Sequence, residues 1–116
     1  MARSTVAAEL AARSCKALGG HVTKLDDTHV QNYLTELPGW TLSDDEITRT
    51  YHFKNYYETI AFVNAIAWVA HHEDHHPDLE VGYNKCTVRY STHSVGGLSE
   101  NDFICAAKVD ALFMHL

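Results

Sequence analysis

With 116 residues, 46% of them hydrophobic and 21% charged, the chain suits a single globular domain that can bury a core and still gain from oligomerisation. Nine Lys and Arg against fifteen Asp and Glu give a net charge of -6 with no basic cluster, which speaks against direct nucleic-acid binding. The three cysteines, Cys15, Cys86 and Cys105, form no CxxC pair and suggest neither a disulfide framework nor a thiolate zinc site.

Residues 1–24 read as a weakly specified extension, with a helical piece over Val6 to Leu18 stopped by Gly19-Gly20. Arg3, Glu9 and Arg13 interrupt its small apolar residues, unlike the apolar run of a secretory signal. No stretch of the chain reaches membrane-spanning length, so no membrane partner and a cytoplasmic location are expected. Residues 25–116 then form the single folded domain. Asp26 or Asp27 caps a short helix carrying Val30, Tyr33, Leu34 and Leu37, which ends at Pro38-Gly39. Trp40 and Leu42, then Ile47, Arg49, Tyr51 and Phe53, alternate with polar residues as a β-hairpin turning at Asp44-Asp45. Asn55 with Glu58 opens a helix whose apolar stripe runs through Tyr56, Ile60, Val63, Ala67 and Ala70, widened by Tyr57, Phe62, Ile66 and Val69. Trp68 reads as core or oligomer contact.

That helix leads into His71-His72-Glu73-Asp74-His75-His76-Pro77-Asp78, which holds four of the nine histidines. Histidine exchanges protons near neutral pH and a neighbouring carboxylate orients its ring, so general acid/base chemistry is one reading. Metal binding is a second, since imidazole and carboxylate both ligate zinc. A polar helix end with solvated rings is the third. His72-Glu73-Asp74-His75-His76 also satisfies H-E-x-x-H, the pattern of zinc hydrolases. That pattern needs a continuous helix, and Pro77 disfavours helical geometry at His76, so no metal is expected.

Leu79, Val81 and Tyr83 alternate as a strand, followed by a turn at Asn84-Lys85 and a second strand through Cys86, Val88, Tyr90 and Thr92. With that two-residue turn, Tyr83 faces Cys86, Val81 faces Val88, and the continued ladder sets His76 opposite His93 at about 5 Å. Gly96-Gly97 breaks the strand. Ser99 and Asp102 make a capping box for a last helix through Phe103, Ile104, Ala106, Ala107, Val109, Leu112 and Phe113, so Asp102 reads as a cap rather than a catalyst. The order α-β-β-α-β-β-α predicts an α+β fold: a four-stranded antiparallel sheet with helices packed on one face.

Asp74-His75-His76-Pro77, Tyr83-Asn84-Lys85, Ser91-Thr92-His93 and Gly97-Leu98-Ser99, with their spacing and with Pro38-Gly39-Trp40, resemble the pterin-4a-carbinolamine dehydratases over roughly Leu25 to the C-terminus. The resemblance implies a homodimer or homotetramer that dehydrates 4a-hydroxytetrahydrobiopterin to quinonoid dihydropterin, recycling the pterin of aromatic amino acid hydroxylases. It implies no cofactor. It maps His75, His76 and His93 onto catalytic positions, and Asp74, Ser91, Thr92 and Ser94, with the three histidines, onto positions lining the pterin. Some members carry glutamate where this chain has His71 and Ser94. Three functions compete with this one: a dimerisation cofactor or coactivator, as in animal relatives; a dehydratase acting on another pterin, such as a step linked to molybdenum cofactor; and a zinc-dependent hydrolase using His72 and His76.

Overall fold

The computed structural model describes residues 5–17 and 22–115. Period-2 alternation is realised as four strands, β1 (Thr41–Ser43), β2 (Glu46–His52), β3 (Asp78–Val81) and β4 (Lys85–Tyr90), in one antiparallel sheet of order β1-β2-β4-β3. One face carries Ile47, Tyr51, Cys86, Val88 and Tyr90, all buried. The opposite face carries Thr48, Thr50, Thr87 and Arg89, where the Thr50 and Thr87 hydroxyls bond across the strands at 2.8 Å. This one-sided burial fits an antiparallel sheet covered by helices on a single face.

The helices are α1 (Thr5–Ala12), α2 (Asp27–Glu36), α3 (Tyr56–Glu73) and α4 (Glu100–Met114). Asp26 caps α2 by accepting the His29 N–H at 2.9 Å, and Asn55 caps α3 by accepting that of Glu58, also at 2.9 Å. The buried residues of α3 are Thr59, Phe62, Ile66 and Val69, a narrower and rotated version of the stripe read from sequence. Tyr56, Tyr57 and Trp68 stand outside it, Trp68 being 65% exposed and therefore no part of the core. Thr59 survives burial because its hydroxyl donates to the carbonyls of Asn55 and Tyr83 at 2.9 and 3.0 Å. Helix α4 is the central element, packed against α1 and α3 and buried without a break from Asn101 to Ala107.

The N-terminal helix stops at Ala12, short of the expected Leu18; Leu18, Gly19 and Gly20 lie outside the described residues. Ala7 and Leu10 of α1 join the hydrophobic core, and Lys108 Nζ donates to the Ala11 carbonyl at 2.8 Å, satisfying an orphan acceptor at the helix end. The first hairpin turns at Asp44-Asp45 as expected, without glycine, because Asp44 takes a left-handed φ of 54° that a short polar side chain tolerates. The second hairpin turns one residue earlier than expected. Val81 pairs with Cys86 and Leu79 with Val88, and Gly82 N–H donates to the Lys85 carbonyl, so the turn is Tyr83-Asn84. The ladder ends at Asp78 and Arg89, which leaves His76 and His93 off it and unpaired with each other.

Candidate active site

The His-rich stretch owes its shape to the end of α3. Asp74 takes a left-handed φ of 51° as C-cap, and the amide of His75 donates back to the Ala70 carbonyl at 3.1 Å. The chain then leaves the helix one residue ahead of His76, as Pro77 requires. This sharp exit separates two adjacent histidines: His75 turns inward and is 6% exposed, while His76 stays exposed. The His75 ring stacks on Tyr90, centroids 5.7 Å apart and planes 12° from parallel.

The start of α4 supplies the partner. Asp102 and Ser99 form the capping box, with the Ser99 N–H donating to Asp102 Oδ2 at 2.9 Å. The same fully buried carboxylate accepts from the Thr92 hydroxyl at 2.8 Å and meets His75 Nε2 through Oδ1 at 2.7 Å. Ser99 Oγ lies 2.7 Å from the Thr92 oxygen and donates to it, because the Thr92 proton is committed to Asp102. A carboxylate accepts, so the contact with Asp102 orients the His75 ring with Nε2 as the donor. Asp102 is thus both a helix cap and the orienting partner of a buried imidazole.

Thr92 is also where the second histidine segment begins. A Thr92–Gly97 bridge closes a short loop containing a 3-10 turn, His93–Val95. His93 and Ser94 are exposed on that turn, and Ser91 is half-buried beside it. His93 and Ser91, with Asp44, Asp45, Glu46, Gly96 and Gly97, line a cleft of about 390 Å³. His75 and His76 are not in its lining, so the three histidines do not share one cavity. They belong instead to two chain segments, 74–76 and 91–94, drawn together where Asp102 holds both His75 and Thr92. Asp74 is exposed at the helix end, whereas the Thr92 side chain is occupied by Asp102 and Ser99.

Residues 23–112 match the family model described as pterin 4 alpha carbinolamine dehydratase. The chain belongs to the pterin carbinolamine dehydratase family. A Nitrosomonas eutropha protein with the provisional name pterin-4-alpha-carbinolamine dehydratase is 60% identical over 107 residues, covering 91% of this chain and 95% of its own length. A Bdellovibrio bacteriovorus protein with the same provisional name is 62% identical over 92 residues, covering 76% and 77%. Among solved structures, a Brucella melitensis protein described as a transcriptional coactivator/pterin dehydratase superposes with TM-score 0.75 at 33% identity, covering 78% of this chain and 98% of that one. The fold is also similar to that of a pterin dehydratase-like protein described as a RuBisCO assembly factor, at TM-score 0.53 and 24% identity.

In this pterin dehydratase family member the H-E-x-x-H pattern is split by geometry. His72 is exposed in the last turn of α3, and His76 lies beyond its end. Glu73 reaches toward the N-terminal segment, where its Oε1 accepts the Cys15 N–H at 2.7 Å, and its Oε2 lies 3.7 Å from Lys108 Nζ and 3.8 Å from His72 Nε2. A larger cavity of about 530 Å³ lies there, lined by Trp68, His72, Glu73 and Lys108 among others. Among the described residues no group of three or more His, Cys, Asp and Glu could hold a metal ion. The capping box read from Ser99 and Asp102 is present, and Asp102 adds to it a contact with His75 that the sequence reading did not include. Its spacing from Ser99 revealed the cap, but nothing local announces a contact with a histidine 27 residues away.

Proposed function

We propose that the protein dehydrates 4a-hydroxytetrahydrobiopterin to quinonoid dihydropterin and water by metal-free histidine acid/base catalysis. The observation that carries this reading is the buried His75 Nε2 to Asp102 Oδ1 contact of 2.7 Å, with Asp102 tied in turn to the residue preceding His93. Loss of the 4a-hydroxyl needs a proton delivered to the leaving oxygen and another removed from N5 as its lone pair expels water. Two imidazoles do both, each with a rate effect of about 10²–10⁴-fold. In this reading His75 and His93 exchange the protons, His76 and Asp74 position the ring, and Ser91, Thr92 and Ser94 line the pterin segment. The reaction calls for no cofactor. Its natural setting is the cytoplasm, recycling the pterin of an aromatic amino acid hydroxylase. The exposed aromatics Tyr57 and Trp68 on α3 favour a homodimer or homotetramer.

The test is turnover of chemically generated 4a-hydroxytetrahydropterin by the purified protein, with and without a strong chelator, beside His75→Ala and His93→Ala. Chelator-resistant dehydration that collapses in both variants supports the mechanism. Absence of dehydration with an intact assembly brings forward the coactivator-type role by which the Brucella protein is described. Activity that appears only on adding zinc revives the hydrolase-like metal chemistry.

A further inference from the structure

The N-terminal segment carries a pair of sulfurs that the dehydratase chemistry does not use. Cys15 Sγ lies 3.4 Å from Cys105 Sγ, ninety residues away in the sequence, and both thiols are free. The approach is enforced from several sides. Glu73 of α3 holds the Cys15 N–H at 2.7 Å, and Asn101 of α4 clamps Lys16 in both directions, accepting its N–H and donating to its carbonyl, each at 2.9 Å. Cys15 Sγ also lies 3.7 Å from the Asn101 carbonyl. The two side chains therefore face each other across a contact fixed by α3 and α4, a short closing movement from the roughly 2.05 Å of a disulfide bond.

We propose that Cys15 and Cys105 form a reversible redox pair, closing to a disulfide under hydroperoxide and stapling the N-terminal segment to α4. The two sulfurs divide the labour by exposure. Cys15 is half-buried and reachable, whereas Cys105 is fully buried in the core. The Cys15 thiolate attacks the peroxide O–O bond, giving a sulfenic acid and releasing water or an alcohol. Cys105 then displaces the sulfenic hydroxyl as a second water, with its thiol proton leaving on that oxygen, so two thiols are oxidised and one peroxide is reduced. A dithiol reductant reverses the step by thiol–disulfide exchange. The adjoining Cys15 and burial raise the Cys105 thiol above its ordinary pKa, which leaves it as the resolving partner rather than the first to react. Cys86 is buried on the sheet, with no thiol partner among the described residues, and stays reduced.

The staple is placed to be felt by the site without blocking it. Cys105 lies about one helical turn beyond Asp102 on α4. The Tyr90 ring that stacks on His75 carries its hydroxyl toward Cys105, and burial together with the neighbouring Cys105 and Cys15 thiols pushes that hydroxyl's pKa up.

The decisive experiment treats the full-length protein with stoichiometric hydrogen peroxide, alkylates it under denaturing conditions and maps the peptides by mass, with Cys15→Ser and Cys105→Ala treated in parallel. The expected result is a Cys15–Cys105 linked peptide lighter by two hydrogens, an alkylated Cys86, and loss of the link in either variant. Thermal melts should show the oxidised wild type several degrees above its dithiothreitol-reduced form, because the bond closes a long loop. That increment should be absent in Cys15→Ser. Cys15 found as sulfinic acid beside an alkylated Cys105, a Cys15 cross-link between two copies, or no oxidation of either residue would each overturn the proposal.

Discussion

Helix α4 buries two carboxylates, Asp102 and Asp110, about two turns apart, and their partners differ in kind. Asp102 is bound by an imidazole, that of His75, together with the Thr92 hydroxyl and the Ser99 amide. Asp110 is bound by donors that stay as they are: Arg49 Nη1 at 2.9 Å, Trp40 Nε1 at 3.0 Å and the Tyr51 hydroxyl. Arg49 also lies 4.7 Å over the Tyr51 ring, so this second cluster fastens the sheet to α4 through both charge and aromatic packing. The same residue type on the same helix thus orients an imidazole at one end and anchors a guanidinium at the other.

The largest effect is expected at the first cluster. His75→Ala should lower dehydration by about 10²–10⁴-fold while the folded assembly persists, measured by stopped-flow on the carbinolamine. At the second cluster the loss should appear as stability instead. Asp110→Ala strands three donors, one of them charged, and should cost about 3–5 kcal/mol in urea unfolding. A smaller effect sharpens the comparison at Thr92, whose hydroxyl links Asp102 to Ser99. Thr92→Val should cost about 1–2 kcal/mol, with a drop in kcat larger than that of any equally destabilised variant at Asp110.

The smallest effect is a pH signature of Asp110. Burial holds its carboxyl above the ordinary Asp value, partly offset by its three donors. The native state therefore keeps this proton to a higher pH than the unfolded chain does. Its contribution to stability is fully present below the unfolded value of about 3.9 and is lost as pH rises through the raised native value. Asp110→Asn should remove that decline, seen as a flatter stability profile just above pH 4 in denaturant titrations.

Much of this arrangement is legible in the sequence because it is set locally. Pro77 marks where α3 must end, and Ser99 with Asp102 marks where α4 begins. Alternation in the residues around Ile47, Tyr51, Val88 and Tyr90 shows which sheet face is buried. The His76–His93 pairing failed for a reason inherent in that signal. Moving the hairpin turn from Asn84-Lys85 to Tyr83-Asn84 shifts the register by two and leaves every side chain on its original face, so alternation cannot tell the two registers apart. The His75–Asp102 contact was illegible for a different reason, being a tertiary meeting of two helix ends, each of which has a sufficient local explanation.

The most direct measurement compares Asp102→Asn with Asp110→Asn in one carbinolamine dehydration assay, run well below the melting temperature of either variant. If Asp102 acts through His75, its variant loses about 10²-fold in kcat with KM little changed, while the Asp110 variant stays within about threefold of wild type. Wild-type kcat in Asp102→Asn, or an equal loss in Asp110→Asn, would contradict the division of labour between the two carboxylates.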